Sequence, residues 1–234
     1  MLNGKPTTKK GEDLRSFPTY TIPEAAMFLG IPQRTLRLWF DGNTPLLKPS
    51  GEVHGFPLLS FADAVEAHAL HLLRSHHHVP MQSIKRAVER LPRYTSVKRP
   101  LLSDDLRVLD KDILLERRAH GKQPRHIVNL SQDGQLVIEH VADIFSKRVL
   151  RDSSGKVISI FPWRYWNEDE ESKPVEIDPE VMSGRLVILA TRIPVTMIQN
   201  RKLRGQTTQS IADDYSISLE RVEKALRHID TKAA

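Results

Sequence analysis

A mainly α fold with small β elements is what this 234-residue sequence predicts. Three observations carry the prediction. Two stretches, Thr21 to Phe40 and Val195 to Ile229, each read as short amphipathic helices joined by tight turns. Between them, short apolar runs are separated by turn residues, as at Asp152-Ser153-Ser154-Gly155, which is hairpin spacing. No apolar run approaches the ~18 residues that a membrane span needs, so no membrane contact is expected. The expected order is an N-terminal winged helix-turn-helix, a small α+β middle element and a C-terminal three-helix helix-turn-helix domain.

Composition narrows the function classes. There is no cysteine, which excludes disulfides, thiolate metal sites and cysteine nucleophiles and fits a reducing cytoplasm. Met1 to Lys10 is basic with no apolar stretch behind it, so no secretory signal is expected there. The net charge of +6 is unevenly spread. Residues 1–99 carry 14 basic and 8 acidic side chains, and residues 182–234 carry 9 and 5. Between them, residues 166–181 carry 1 and 7. A basic block suits a polyanion partner; the plainer reading is a solvated basic face.

Residues 1–17 are polar and read as a flexible arm, ahead of a unit spanning 18–92. Thr21 can cap a first helix, with Pro23 in its first turn and Glu24 close by. Ala25, Ala26, Phe28 and Leu29 form its apolar face, and Gly30 suits a left-handed stop. A second helix runs from Gln33 to Phe40 with Leu36 and Trp39/Phe40 turned inward. In a helix-turn-helix the second helix lies in the major groove and reads bases from its early residues. Here those are Gln33, Arg34, Thr35 and Arg37; Gln suits adenine and Arg suits guanine. Strands at Leu46 to Lys48 and Gly55 to Leu59 would form a wing, with Lys48 and His54 beside DNA. Thr21, at the start of the first helix, completes the DNA-contact set. Ser60 can cap a helix from Phe61 to Arg74, and Pro80 opens another to Leu91.

Tyr20-Thr21-Ile22-Pro23-Glu24-Ala25-Ala26, Leu36-Arg37-Leu38-Trp39-Phe40, Leu59-Ser60-Phe61-Ala62-Asp63 and Met81-Gln82-Ser83-Ile84-Lys85 follow in an order and spacing that resemble the winged-helix DNA-binding domain of the MerR type. No long heptad helix follows them, so the dimerisation arm of that family is missing. His68, His71, His76, His77 and His78 are crowded, and zinc takes imidazole. Acidic partners at usable spacing are confined to Asp63 and Glu66, and histidines at a helix end also suit its dipole. No metal or other cofactor is expected.

Residues 93–165 form the middle element. Pro100 to Ala119 reads as one helix with irregular chain, His126 to Leu130 as a strand, and Gln135 to Phe145 as a helix. Arg148 to Arg151 and Lys156 to Phe161 read as a hairpin. Phe161-Pro162-Trp163-Arg164-Tyr165-Trp166 gathers aromatics around an Arg, the side chains that most often anchor interfaces. It either covers the chain's own core or contacts another molecule. An acidic linker, 166–176, follows.

From 177 to 234, helices are expected at Val195 to Leu203, Thr208 to Asp214 and Leu219 to Ile229, with Thr207 or Thr208 and then Ser218 as caps. Ser183-Gly184-Arg185-Leu186-Val187-Ile188, Thr191-Arg192-Ile193-Pro194-Val195, Gly205-Gln206-Thr207 and Ile211-Ala212-Asp213-Asp214-Tyr215 resemble a small helix-turn-helix family, long of unknown function, common in VapB-type antitoxins. The resemblance implies an antitoxin that inhibits a cognate PIN-like ribonuclease toxin and binds double-stranded operator DNA to repress its own operon. It also implies a toxin contact, for which Trp163, Arg164, Tyr165 and Trp166 are the candidates. A homodimer is expected, because one short recognition helix reads too few bases alone. The alternative is a MerR-like regulator without a toxin. No Gly-rich phosphate loop, HExxH or GxSxG motif is present, so no enzymatic activity is expected.

Overall fold

A computed structural model describes residues 13–94, 99–102, 106–109, 112–117, 126–130, 142–143, 148–163 and 172–230. The fold is mainly α with small β elements. No helix among the described residues is long and apolar enough to cross a membrane.

A 3-10 turn at Leu14–Ser16 opens the described chain, inside the stretch read as an arm. Asp13 meets Lys156, and Arg15 reaches Asp152 at 3.7 Å, which ties this turn to a hairpin far along the chain. Strand β1 (Pro18–Thr21) comes next, where no strand was expected. Helix α1 (Ile22–Leu29) starts on a full capping box. Glu24 N–H donates to the Thr21 hydroxyl, and Thr21 N–H donates to the Glu24 carboxylate at 2.9 Å. Gly30, at φ 68°, ends α1 in the left-handed region. Helix α2 (Gln33–Asp41) follows at once.

Strands β2 (Gly51–Val53) and β3 (Phe56–Ser60) form a hairpin, and β1 pairs with the far side of β3 to make a three-stranded antiparallel sheet. Helix α3 (Phe61–Ser75) has a second capping box, Ser60 with Asp63. Twelve of its fifteen residues are buried, so it is a central helix enclosed on all sides rather than a surface amphipath. Helix α4 (Met81–Tyr94) packs Ile84, Ala87 and Leu91 inward.

The middle element departs from expectation. Beyond a 3-10 turn at Pro100–Leu102, the helix expected within 100–119 is replaced by strands β4 (Leu106–Leu109) and β5 (Asp112–Arg117). They join β6 (His126–Asn129) and β7 (Ala142–Asp143) in an antiparallel sheet ordered β6-β5-β4-β7. Only Asp110 and Lys111 separate β4 from β5, and that dipeptide lacks the Asn-Gly or Asp-Gly signal that marks most two-residue hairpins. Most of the helix expected over Gln135 to Phe145 lies outside the described residues, and Ala142–Asp143 are strand. The hairpin β8 (Val149–Arg151) and β9 (Val157–Ile160) forms where expected.

At the C-terminal end, β10 (Val175–Glu176) pairs with β11 (Val187–Ile188). Helices α5 (Val195–Leu203), α6 (Thr208–Tyr215) and α7 (Leu219–Ile229) follow at the expected positions. Thr207 caps α6 through the Ser210 N–H at 3.1 Å. Ser218 holds the cap position of α7 without a side-chain hydrogen bond. One continuous apolar cluster runs from Tyr20, Leu36 and Phe61 to Ile211, Val222 and Ile229. The two ends of the chain therefore share a core. Burying each large aliphatic side chain in it contributes about 1.5–3 kcal/mol.

Candidate nucleic-acid interface

The two faces of α2 divide cleanly. Leu36, Trp39 and Phe40, at helical i, i+3, i+4 spacing, are buried. Gln33, Arg34 and Arg37 point to solvent, Leu38 beside them is 58% exposed, and Thr35 is half-buried. Among the described residues neither Arg34 nor Arg37 forms an ion pair. Their planar guanidinium forks are thus open to the paired acceptors of a guanine edge.

The chain after α2 differs from expectation. The Leu46 and Leu47 N–H groups both donate to the Trp39 carbonyl at 2.9 Å, which holds 46–47 against the helix end instead of in a strand. The hairpin is β2 with β3, and its two-residue turn is His54-Gly55, both at positive φ (52° and 80°). His54 is exposed at the hairpin tip, while Lys48 is exposed ahead of the hairpin rather than within it. Val53 and Phe56 pair across the turn and are 48% and 70% exposed. Thr21 is exposed, but its hydroxyl is engaged with Glu24 in the α1 capping box.

The base of the hairpin is pinned by a residue set that reading along the sequence missed. The fully buried Asp63 carboxylate accepts the N–H groups of Ser50 and Ser60, both at 2.8 Å. Arg99 pairs with Asp63 at 2.7 Å, pairs with Glu66, and donates to the Ser50 hydroxyl at 2.9 Å. Burial pushes the Glu66 carboxyl up to about 7, against the opposing pull of Arg99. The Ser60 cap was legible, whereas its box partner Asp63 emerges from the structure. The return of Arg99 from 36 positions downstream had no local signal.

The C-terminal helices present a different surface. On α7, the Arg221 guanidinium donates to the Leu189 carbonyl, and Lys224 is shared between Glu220 at 3.1 Å and the Ser172 hydroxyl at 3.1 Å. Cations committed inside the chain are poorly placed for phosphate, and the exposed Glu220 and Glu223 repel it. Trp163 is 4% exposed and stacked on His228, with ring centroids 6.0 Å apart, so it covers the chain's own core and offers no free face. Arg164, Tyr165 and Trp166 lie outside the described residues. The His76 and His77 rings sit 4.4 Å apart, whereas His68 is buried away from the surface histidines.

Residues 175–228 match the family described as "Protein of unknown function (DUF433)". The matched segment runs from β10 into α7. Over 228 residues, 89% of this chain and 92% of its relative, the sequence is 25% identical to the "putative antitoxin VapB45" of Mycobacterium tuberculosis (strain ATCC 25618 / H37Rv). The fold is similar to the X-ray crystal structure of Rv2018 from Mycobacterium tuberculosis, with a TM-score of 0.61 and 21% identity over 90% of this chain and 98% of that one. The protein is antitoxin-like along nearly its whole length, and the solved structure supports the fold of both ends together.

Proposed function

We propose that this chain is a VapB-type antitoxin. In this reading it binds and inhibits a PIN-like ribonuclease toxin encoded beside it, binds operator DNA as a homodimer to repress its operon, and catalyses no reaction itself. The observation that carries the DNA half is the solvent face of α2: Gln33, Arg34 and Arg37 are exposed with no side-chain partner among the described residues, and the chain goes on to a hairpin whose base is pinned by Asp63 and Arg99. The similarity to an antitoxin over 89% of the chain supports the toxin half.

Residues 18–92 act as a MerR-like winged helix, 93–165 as the middle element and 177–234 as the C-terminal helix-turn-helix domain; of the stretch read as a linker, 166–176, Val175–Glu176 are strand β10. Gln33, Arg34, Thr35 and Arg37 enter the major groove. Lys48 and His54 meet the backbone from the loop and the hairpin tip, and Thr21 holds the α1 terminus against a phosphate. Because the α7 cations are already engaged, α7 serves packing rather than base reading. Arg164, Tyr165 and Trp166 remain candidates for the toxin contact.

The test has two arms. In the first, the chain is titrated onto a fragment of its own promoter. Arg34→Ala or Arg37→Ala is expected to cost about 1–3 kcal/mol of specific affinity, because each removes a bidentate base contact. Lys48→Ala and His54→Ala are expected to weaken all sequences alike, and Lys48→Ala to flatten the salt dependence. Unchanged specific binding by both arginine variants sinks the reading helix. In the second arm, the neighbouring reading frame is expressed with and without this chain. Toxicity relieved by this chain supports the antitoxin; a harmless neighbour with intact promoter binding leaves a regulator without a toxin.

A further inference from the structure

We propose that the tip where α5 turns into α6 is the docking surface for an acidic protein partner, with Leu203 as its anchor. The proposal rests on the antitoxin reading and names where on the DUF433 segment the partner sits. Leu203 is 78% exposed and Met197, on the same helix, is 48% exposed. Among the described residues Leu203 is the most exposed large hydrophobic side chain. Lys202 and Arg204 flank Leu203, both are exposed, and neither forms an ion pair among the described residues. Residues 195–207 hold three cations and no carboxylate.

Local contacts also hold the tip. Arg201 is tied to Asp214 and to the Gln206 side chain, and its guanidinium lies 5.2 Å from the centre of the Tyr215 ring. Gly205 N–H donates to the Lys202 carbonyl at 3.0 Å, and Gln206 N–H donates to the Arg201 carbonyl at 3.2 Å. Gly205 takes φ +89°, and a Cβ there would meet nothing within 4 Å, so the turn is set by backbone geometry rather than by crowding. A preorganised anchor loses little freedom on binding. An aliphatic anchor flanked by the two cations Lys202 and Arg204 matches an apolar hole edged by carboxylates on a protein. A nucleic-acid surface would leave Leu203 and Met197 unburied.

The experiment uses the full chain and the purified product of the adjacent reading frame as the probe. Affinity is measured for wild type, Leu203→Asp, the Lys202→Glu/Arg204→Glu pair, and Arg164→Glu. The altered tip side chains are exposed, so thermal midpoints matching wild type are expected. The expected result is at least a tenfold loss of affinity for Leu203→Asp and for the charge-reversed pair, with promoter binding intact. Wild-type affinity in both tip variants, with loss in Arg164→Glu, overturns the proposal in favour of the aromatic segment. A tip variant that loses promoter DNA but keeps the protein partner overturns it in favour of a nucleic-acid surface. A fall in the chain's own oligomer size on light scattering, with the partner retained, overturns it in favour of self-association. Absence of binding by wild type removes the antitoxin reading and the docking surface together, and is distinguished from the other outcomes by that wild-type result.

Discussion

Gly184→Ala should lower the unfolding free energy by roughly 3 kcal/mol, one of the largest single-residue losses expected in this chain. Gly184 sits at φ +77°, and a Cβ added there lies 2.1 Å from the Tyr20 hydroxyl oxygen. The Gly184 carbonyl accepts that hydroxyl's hydrogen at 2.8 Å in a buried setting. Burial pushes the Tyr20 phenol up, so it remains protonated and able to donate. Alanine therefore incurs a left-handed backbone cost of about 1–2 kcal/mol and displaces a hydrogen bond whose loss buried costs about 1–3 kcal/mol. Tyr20→Phe separates the two effects, because it keeps the backbone and deletes only the donor; about 1–2 kcal/mol is expected from it. Denaturant midpoints of the two variants check this. Gly184→Ala melting no earlier than Tyr20→Phe would contradict the close approach.

His68 should govern much of the acid sensitivity. It lies in the middle of α3, 2% exposed, and neither ring nitrogen has a hydrogen-bond partner among the described residues. Burial, reinforced by His71, Arg148 and His228 around it, pulls its pKa down to about 3. The unfolded chain takes up a proton on this residue below about 6.5, whereas the folded chain does so only near 3. Stability is thus full above about 6.5 and falls as the pH drops through that window, by up to about 1.4 kcal/mol per pH unit. Glu66 acts in the opposite sense. Its raised pKa means that the folded chain holds a proton the unfolded chain has released, so its contribution grows as pH falls from about 7 toward 4.5. His68→Leu removes only the first of these effects. Thermal melts at pH 7.5 and pH 5 should show a smaller acid loss in His68→Leu than in wild type. At pH 7.5 the variant should be as stable or more so, because two unpaired buried nitrogens have gone. Parallel losses in the two proteins would show that His68 gains protons equally in both states.

Most of the helical framework was legible from local chemistry. The Thr21-Glu24 box, the Gly30 stop, the Ser60 cap and the Thr207 cap each act within three or four residues, and each is formed. The solvent face of α2 was legible for the same reason, since Leu36, Trp39 and Phe40 alone decide which side turns inward. Strands were harder. β1 has only four residues and depends on β3 for its hydrogen bonds, and the sequence between β4 and β5 holds no glycine or asparagine. Placing the hairpin strand at Leu46 to Lys48 failed because the Trp39 carbonyl captures that segment.

Local chemistry was enough for the helices, their caps, the two basic ends and the side chains on the solvent face of α2. Tertiary structure alone decided how the ends meet. Tyr20 reaches Gly184 across 164 positions, and His228 Nε2 donates to the Phe28 carbonyl across 200. A carbonyl can only accept, so this contact also places the proton on that nitrogen, a choice no local pattern encodes. Trp163 illustrates the same divide: its composition suits an interface, and stacking on His228 makes it core. Caps and periodicity are short-range effects that a few neighbouring residues settle. Which distant groups share a buried joint depends on the packing of the whole chain, where an unpaired polar group is costly and a close approach leaves room only for glycine.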